Sequence, residues 1–217
     1  MRLRMISVFV AVLLLFCGAA RAELTLDISN ATLEELLAAS EAISARIAEL
    51  RSEMEEQMFP AGSYLVGRDM YPGVYLLQEN EAALLPSVIL RDAETGDTLE
   101  FEMITNQIVV ELHSGVVMQL SDATAYPISM VQMTEASQDA PLKAGGYWIG
   151  TQIPAGKYEI SPKKDAIFAC YSLYDGPIGS DNHILQFMMV YEPVTLEVKE
   201  GQYISISDCV MIPAQAK

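Results

Sequence analysis

Two stretches of this chain carry the same four residues at the same spacing. Residues 64–75 read YLVGRDMYPGVY and residues 147–158 read YWIGTQIPAGKY. Tyr64, Gly67, Gly73 and Tyr75 stand 83 positions before Tyr147, Gly150, Gly156 and Tyr158. The same offset pairs Leu90 with Leu173 and Asp92 with Asp175. Beyond these the offset becomes 86, pairing Phe101 with Phe187, Glu111 with Glu197, Gly115 with Gly201, and Ser121-Asp122 with Ser207-Asp208. Three residues have therefore entered the second stretch, in or near GPIGSDNH at 176–183. Insertions collect in surface loops, so an exposed hairpin tip is expected there.

A unit written twice must form the same local structure twice, and its glycines mark the bends. Ile153-Pro154-Ala155-Gly156 suits a type I turn, with Pro second and Gly fourth. Tyr71-Pro72-Gly73-Val74 suits type II, with Gly third, which implies a turn displaced by one residue. Each copy ends in what reads as a hairpin, reversing at Ser114-Gly115 and at Glu200-Gly201. Alternating apolar residues place strands at 63–67, 73–78, 85–91, 98–104, 107–113 and 115–121. The second set falls at 146–150, 156–160, 167–174, 184–190, 194–199 and 202–207. Short strands at such regular spacing predict an all-β fold of two tandem small antiparallel sandwich-like or barrel-like repeats, at 60–130 and 144–217. Residues 131–143 read as the linker. Roughly 70 residues make a marginal core, so the copies should lean on each other or on a cross-link. A single merged sandwich of two half-units is the alternative.

Before the first copy the period changes. Residues 32–58 hold apolar side chains at Leu33, Leu36, Ile43, Ile47, Leu50 and Met54, in steps of three and four with no Gly or Pro. Thr32 and Glu35 form a capping box at the start. An amphipathic, coiled-coil-like helix of roughly 26 residues is expected within the segment 23–59, about 39 Å long. Its narrow seam suits self-association in a dimer or trimer; packing along its own β domain is the other reading.

The first 22 residues, MRLRMISVFVAVLLLFCGAARA, have a basic start, an apolar run and the small-x-small close Ala20-Arg21-Ala22. They read as a signal peptide, 1–22, and predict a secreted or envelope protein. A lipid anchor at Cys17 is disfavoured, because Phe16 stands where such signals carry a small residue. No later segment is apolar enough to cross a membrane, which takes roughly 20 residues. Removing Arg2, Arg4 and Arg21 leaves 10 basic against 29 acidic residues, a formal charge of −19. Such a surface repels phosphate backbones, so nucleic acid is not an expected partner.

The expected mature chain keeps two cysteines, Cys170 and Cys209, opposite Ser87 and Ala123 of the first copy. Both thiols are present in one copy and absent from the other, which favours a disulfide in an oxidising compartment. Closing about 40 residues would stabilise by about 4 kcal/mol on the chain-entropy account. The alternative is two small buried apolar residues.

No catalytic, cofactor-binding or metal-binding residue emerges. His113 sits at a reversal opposite Lys199, and His183 lies in the inserted loop, so no zinc pattern forms. The stretch 92–97, DAETGD, lacks the order of a calcium loop and reads as a hairpin turn. No nucleophile elbow appears. Trp148 and Tyr191, absent from the first copy, are the candidates for stacking on a ligand; burial on one strand face is the plainer reading.

The pattern Y-x-[VI]-G-x-[DQ]-[IM]-x-x-G-x-Y, with EVKEGQYISISDC at 197–209, resembles a module repeated in uncharacterised exported proteins of Gram-positive bacteria. Copy two fits that module well, with Gln152 where Asp is commoner; copy one keeps Asp69 but departs at Tyr71-Pro72. The resemblance implies export and all-β modules and transfers no catalytic residue. The functional expectation is an exported, non-catalytic binding or structural module of the cell envelope. Residues 32–58 would serve as stalk or oligomerisation element, and the β pair would meet a surface polysaccharide or protein. An extracellular glycan hydrolase with its site between the copies is the alternative.

Overall fold

A computed structural model describes residues 32–55, 57–179 and 183–214. The expected signal peptide, Cys17, and Asp181-Asn182 of the inserted loop lie outside the described residues. The chain divides into two compact units, Met1–Ser44 and Ala45–Lys217.

One helix, α1 (Leu33–Glu55), crosses that division. Its start is fixed by the expected capping box: the Glu35 amide donates to Thr32 Oγ1 at 3.3 Å and the Thr32 amide to Glu35 Oε2 at 2.8 Å. The Thr32 amide, and then its hydroxyl, hold the Glu35 carboxyl below its ordinary range. Leu33, Leu37, Ile43, Ile47 and Leu50 are all exposed along it. No described helix is long and apolar enough to cross a membrane.

Fourteen strands follow. The first seven are β1 (Gly62–Leu65), β2 (Gly73–Glu79), β3 (Ser87–Asp92), β4 (Thr98–Met103), β5 (Gln107–Leu112), β6 (Val116–Ser121) and β7 (Ala123–Pro127). The others are β8 (Gly145–Trp148), β9 (Gly156–Pro162), β10 (Cys170–Tyr174), β11 (Ile184–Met189), β12 (Val194–Val198), β13 (Tyr203–Ser207) and β14 (Cys209–Pro213). They form four antiparallel sheets: sheet I, β1-β6-β3-β4; sheet II, β5-β2-β7; sheet III, β11-β10-β13-β8; sheet IV, β12-β9-β14. Adding seven to every strand number of sheets I and II reproduces the pairings of sheets III and IV.

The twelve expected strands all form, but each set has a seventh. After Ser121 and Ser207 the chain bends through Asp122 (φ 52°) and Asp208 (φ 49°). The left-handed bend sends β7 and β14 to the sheet opposite β6 and β13. Left-handed φ is more open to Asp than to most residues, and Asp122 Oδ2 is tied to the loop before β3, accepting from the Leu85 amide at 3.2 Å. The closing hairpins are corrected as well. β5 pairs with β2 while β6 pairs with β1 and β3, so the Gly115 and Gly201 turns carry the chain between sheets. The displaced turn is corrected too, since Gly73 and Gly156 share φ 155°.

The duplicated tyrosines act alike. Each hydroxyl donates to the carbonyl four residues back: Tyr64 to Pro60, Tyr75 to Tyr71, Tyr147 to Lys143 and Tyr158 to Pro154, at 2.7–2.9 Å. The turn after β1 is also the same twice. The Gly67 amide donates to the Met70 carbonyl and the Gly150 amide to that of Ile153. Asp69 Oδ2 accepts the Leu65 amide and Gln152 Oε1 the Trp148 amide, both at 2.8 Å.

Two cores lie between sheets. Phe59, Val66, Met70, Tyr75, Val88 and Met118 are among the buried side chains joining sheets I and II. Leu142, Ile149, Ile153, Tyr158, Tyr171 and Ile204 hold the corresponding positions between sheets III and IV. A third cluster sits between the sheet pairs: Val74, Leu76, Val109 and Tyr126 of sheet II meet Trp148, Tyr174 and Tyr203 of sheet III. Residues 131–143 are threaded into this arrangement. Val131 packs on the third cluster, and Leu142 pairs with Met211 as Phe59 pairs with Ala125.

Residues 176–179 of the inserted loop are not exposed. Pro177 is buried and Ile178 half-buried. The Ile178 amide donates to the Val109 carbonyl at 3.1 Å, and its carbonyl accepts the Glu111 amide at 2.7 Å. The loop thus bonds to β5 of the other sheet pair. Its backbone groups are thereby satisfied by the outer strand of sheet II.

The expected disulfide is absent; Cys170 and Cys209 are free thiols. On β10, Tyr171 and Leu173 face the core, so Cys170 leaves on the other side. Cys209 is fully buried in the core, its sulfur 3.8 Å from the Cys170 carbonyl oxygen. It fills the place that Ala123 fills between sheets I and II. The reading of Cys209 as a small apolar residue is the one its surroundings satisfy.

Candidate functional site

β4 and β11 are the outer strands of sheets I and III, each hydrogen-bonded on one side only. Both carry large apolar side chains into solvent. Leu99, Phe101 and Met103 are exposed on β4, and Ile184, Leu185, Phe187 and Met188 on β11. Phe101 lies opposite Ile89 and Phe187 opposite Ser172, residues that belong to neither core, so both rings sit on outer faces. The loops entering β3 and β10 add Leu84-Leu85 and Ile167-Phe168, with Leu84 and Ile167 above 80 % exposed. Each loop is fixed to its edge strand, by Ile104 amide to Pro86 carbonyl and by Val190 amide to Ala169 carbonyl, both at 2.8 Å.

These residues correspond between the two sheet pairs. Leu84, Leu85, Leu99 and Phe101 stand where Ile167, Phe168, Leu185 and Phe187 stand at the same offsets. Scattered exposed apolar residues need no explanation, but a contiguous set does. Edge strands also expose unpaired amides and carbonyls, and are ordinarily guarded by charge or Pro. β4 has Glu100 and Glu102 between its apolar residues; β11, ILQFMM, has no charge at all.

The residues singled out from sequence are dispersed. Trp148 is half-buried in the cluster between the sheet pairs, its indole donating to the Gly201 carbonyl at 3.2 Å. Tyr191 is 84 % exposed at the end of β11, next to the Val190–Ala169 bond that holds Ile167-Phe168. Tyr191 thus faces solvent beside that loop, whereas Trp148 packs against the cluster. The framework tyrosines are spent on their carbonyl bonds, and burial pushes the Tyr147 phenol up to about 12. His113 is exposed in its turn. His183 closes the inserted loop, its amide donating to Asp175 Oδ1 at 2.6 Å, which holds the Asp175 carboxyl low. Asp92 Oδ1 accepts the amides of Glu94 and Thr95, each at 2.8 Å, so it is a turn former. Among the described residues no group of three or more His, Cys, Asp and Glu is placed to hold a metal.

A cavity of about 170 Å³ opens where the two sheet pairs meet. Glu102, Thr105 and Ile108 line it from one side, and Tyr174, Tyr203 and Ser205 from the other. Burial, and then the charge of Glu100, raise the Glu102 carboxyl above its ordinary range. One carboxyl lines this cavity, whereas glycoside hydrolysis ordinarily takes a flanking pair.

Fold and surface together define a layered all-β protein that turns two apolar sheet edges outward. No protein-family model matches the chain, and no curated protein matches it.

Proposed function

We propose that this is an exported, non-catalytic binding module of the cell envelope, made of two tandem copies of one β unit. Each copy offers an apolar edge strand to an extended segment of a protein partner. The carrying observation is the recurrence of exposed apolar residues at matched places, Leu84-Leu85 and Phe101 in one sheet pair, Ile167-Phe168 and Phe187 in the other. A strand added to β4 or β11 would satisfy the free backbone groups and cover these side chains, which is the physics of strand addition. Two like sites on one chain also favour a repetitive or multivalent partner. The exposed seam of α1 suits a coiled coil with further copies of the chain, multiplying the sites again. Membership of the Gram-positive exported group rests on the repeated motif, and envelope location on the leader.

The test is capture from an envelope extract with a photo-crosslinking residue at position 101 or 187. Wild-type surroundings should yield a discrete crosslinked protein, and Ile184→Ser with Leu185→Ser should abolish the adduct formed from position 187 on β11. Equal yield from the serine variant, or no adduct at either edge, would remove this reading.

A further inference from the structure

Among the described residues, eight strands end the four sheets, and all but one are guarded. β4 carries Glu100 and Glu102, and β12 carries Glu197. β7 and β14 close on Pro127 and Pro213. β1 and β8 have only four residues each. The outer backbone groups of β5 are taken by Ile178. β11 has six residues, no charge and no proline, and among the described residues no strand pairs with its outer side. An apolar edge left in that condition is a template for another strand.

The duplication shows what has changed there. Gln186 and Met188 stand where β4 has Glu100 and Glu102. Both are held by Tyr171, which stands opposite Val88 of the first copy. Gln186 Nε2 donates to the Tyr171 hydroxyl oxygen at 2.7 Å, and that hydroxyl donates to Met188 Sδ at 3.7 Å. β11 is therefore fixed in extended form before anything joins it, which lowers the cost of ordering on association. The Val190 amide bonds to the Ala169 carbonyl of the neighbouring chain segment. Backbone direction alternates along an antiparallel strand, so the amides and carbonyls of Phe187 and Met189 point away from β10.

We propose that β11 pairs antiparallel with β11 of a second copy of this chain, giving one continuous sheet across a two-fold axis. In a continuous sheet each residue opposes one that faces the same side. Phe187 and Met189 then share backbone bonds with the second copy, and Gln186 and Met188 oppose Gln186 and Met188. The same pairing at β4 would set Glu100 and Glu102 against their own kind, and like charges directly opposite are destabilising. A chain of net charge −16 repels its copies, so an uncharged strand is where two of them can meet. The inference rests on the reading that these edges accept an added strand; it names that strand for β11 and leaves β4 to a different partner. Six residues a side fall short of the roughly 20–30 of a stable interface, so the contact is weak alone. Copies already joined through α1 would raise its effective concentration.

The experiment uses the purified mature chain near millimolar concentration, with a photo-crosslinking residue at position 187 and, as control, at position 101. Position 187 should give an adduct of twice the chain mass and position 101 none. In the unmodified chain the amides of Phe187 and Met189 should be protected from hydrogen exchange. Gln186→Glu with Met188→Glu copies the charge pattern of β4, and should lower that protection about tenfold or more and remove the adduct. Free exchange of both amides in the unmodified chain, or equal adducts from 101 and 187, would overturn the pairing whichever variants fold. So would an undiminished adduct in a folded Gln186→Glu, Met188→Glu chain. An adduct from 187 in envelope extract but none in the purified chain would remove self-pairing and leave strand addition standing; none in either would remove both.

Discussion

At the scale of the residue, the same group contributes oppositely in two places. Tyr147 and Tyr203 are both buried phenols, but Tyr147 donates to the Lys143 carbonyl and Tyr203 donates to nothing. Removing a made hydrogen bond costs about 0.5–1.5 kcal/mol, whereas removing an unmade one relieves a penalty. Tyr147→Phe should lower chemical-denaturation stability by about 1 kcal/mol and Tyr203→Phe should leave it level or raise it. Asp69 and Gln152 make a second comparison. Both accept an amide four residues back, but Asp69 also meets Arg68 at 2.7 Å. The Arg68 guanidinium first, and then the Leu65 amide, hold Asp69 down at about 2. Because the folded value lies below the unfolded one, its contribution is present above about pH 4 and is lost as pH falls toward 2. Asp69→Gln should keep the turn, as Gln152 does, and flatten the acid limb of a stability–pH profile; an unchanged limb would contradict this. The thiols supply a third outcome. Burial pushes Cys209 up to about 11, so at pH 8 native protein should react with a thiol reagent at Cys170 well before Cys209. A chain without titratable thiol would instead show that they had paired.

At the scale of the element, the period-two pattern located twelve strands because each strand buries one face and wets the other. β7 and β14 escaped because they follow directly on Asp122 and Asp208, where the preceding strand reads as ended. Ser-Asp at both offsets was the available signal, and it marked a bend between sheets instead of an end. Hairpins were misread at Gly115 and Gly201 for a related reason: a tight turn between apolar runs looks the same whether the strands pair or part to opposite sheets. The inserted loop was misread because its partner, β5, lies far away in sequence. The candidate surface was half legible. Phe101 and Phe187 stood at matched offsets in the sequence, but only the strand order reveals that they lie on edges, with Leu84 and Ile167 in the loops beside them. That a helix forms was legible, since a capping box and a three-four step are local. Its seam carries a prediction. Ile43→Lys with Ile47→Lys places two charges where the heptad wants apolar contact, so sedimentation should give a monomer where the wild type gives a multiple. Identical masses would leave α1 without an associating role.

At the scale of the whole molecule, the question is why stacking halts at two sheet pairs. Sheet III sits by its outer face on the outer face of sheet II, a heterologous contact that in a repeated structure has no intrinsic end. The free outer faces differ from the joined ones at the positions in contact. Val74, Leu76 and Val109 of sheet II correspond to Lys157, Glu159 and Thr195 of sheet IV. Trp148, Tyr174 and Tyr203 of sheet III correspond to Leu65, Arg91 and Val117 of sheet I. Lys157 and Thr195 are exposed, so the change to polar residues costs nothing on a face meeting water, and it denies the next molecule a dry surface. On sheet IV this polar face caps the stack as terminal repeats cap solenoid arrays, and on sheet I the one polar change is Arg91. Converting them should therefore undo the cap. A variant carrying Lys157→Val, Glu159→Leu, Thr195→Val, Arg91→Tyr and Val117→Tyr offers both joining faces at once. Its particle size in light scattering should grow with concentration without reaching a plateau, while the variant with only the sheet I changes should match the wild type. If the fully converted chain kept the wild-type size, the polar residues on sheets I and IV would not be what limits the stack, and the three inserted residues that bring Ile178 to β5 would become the better explanation for a pair that closes on itself.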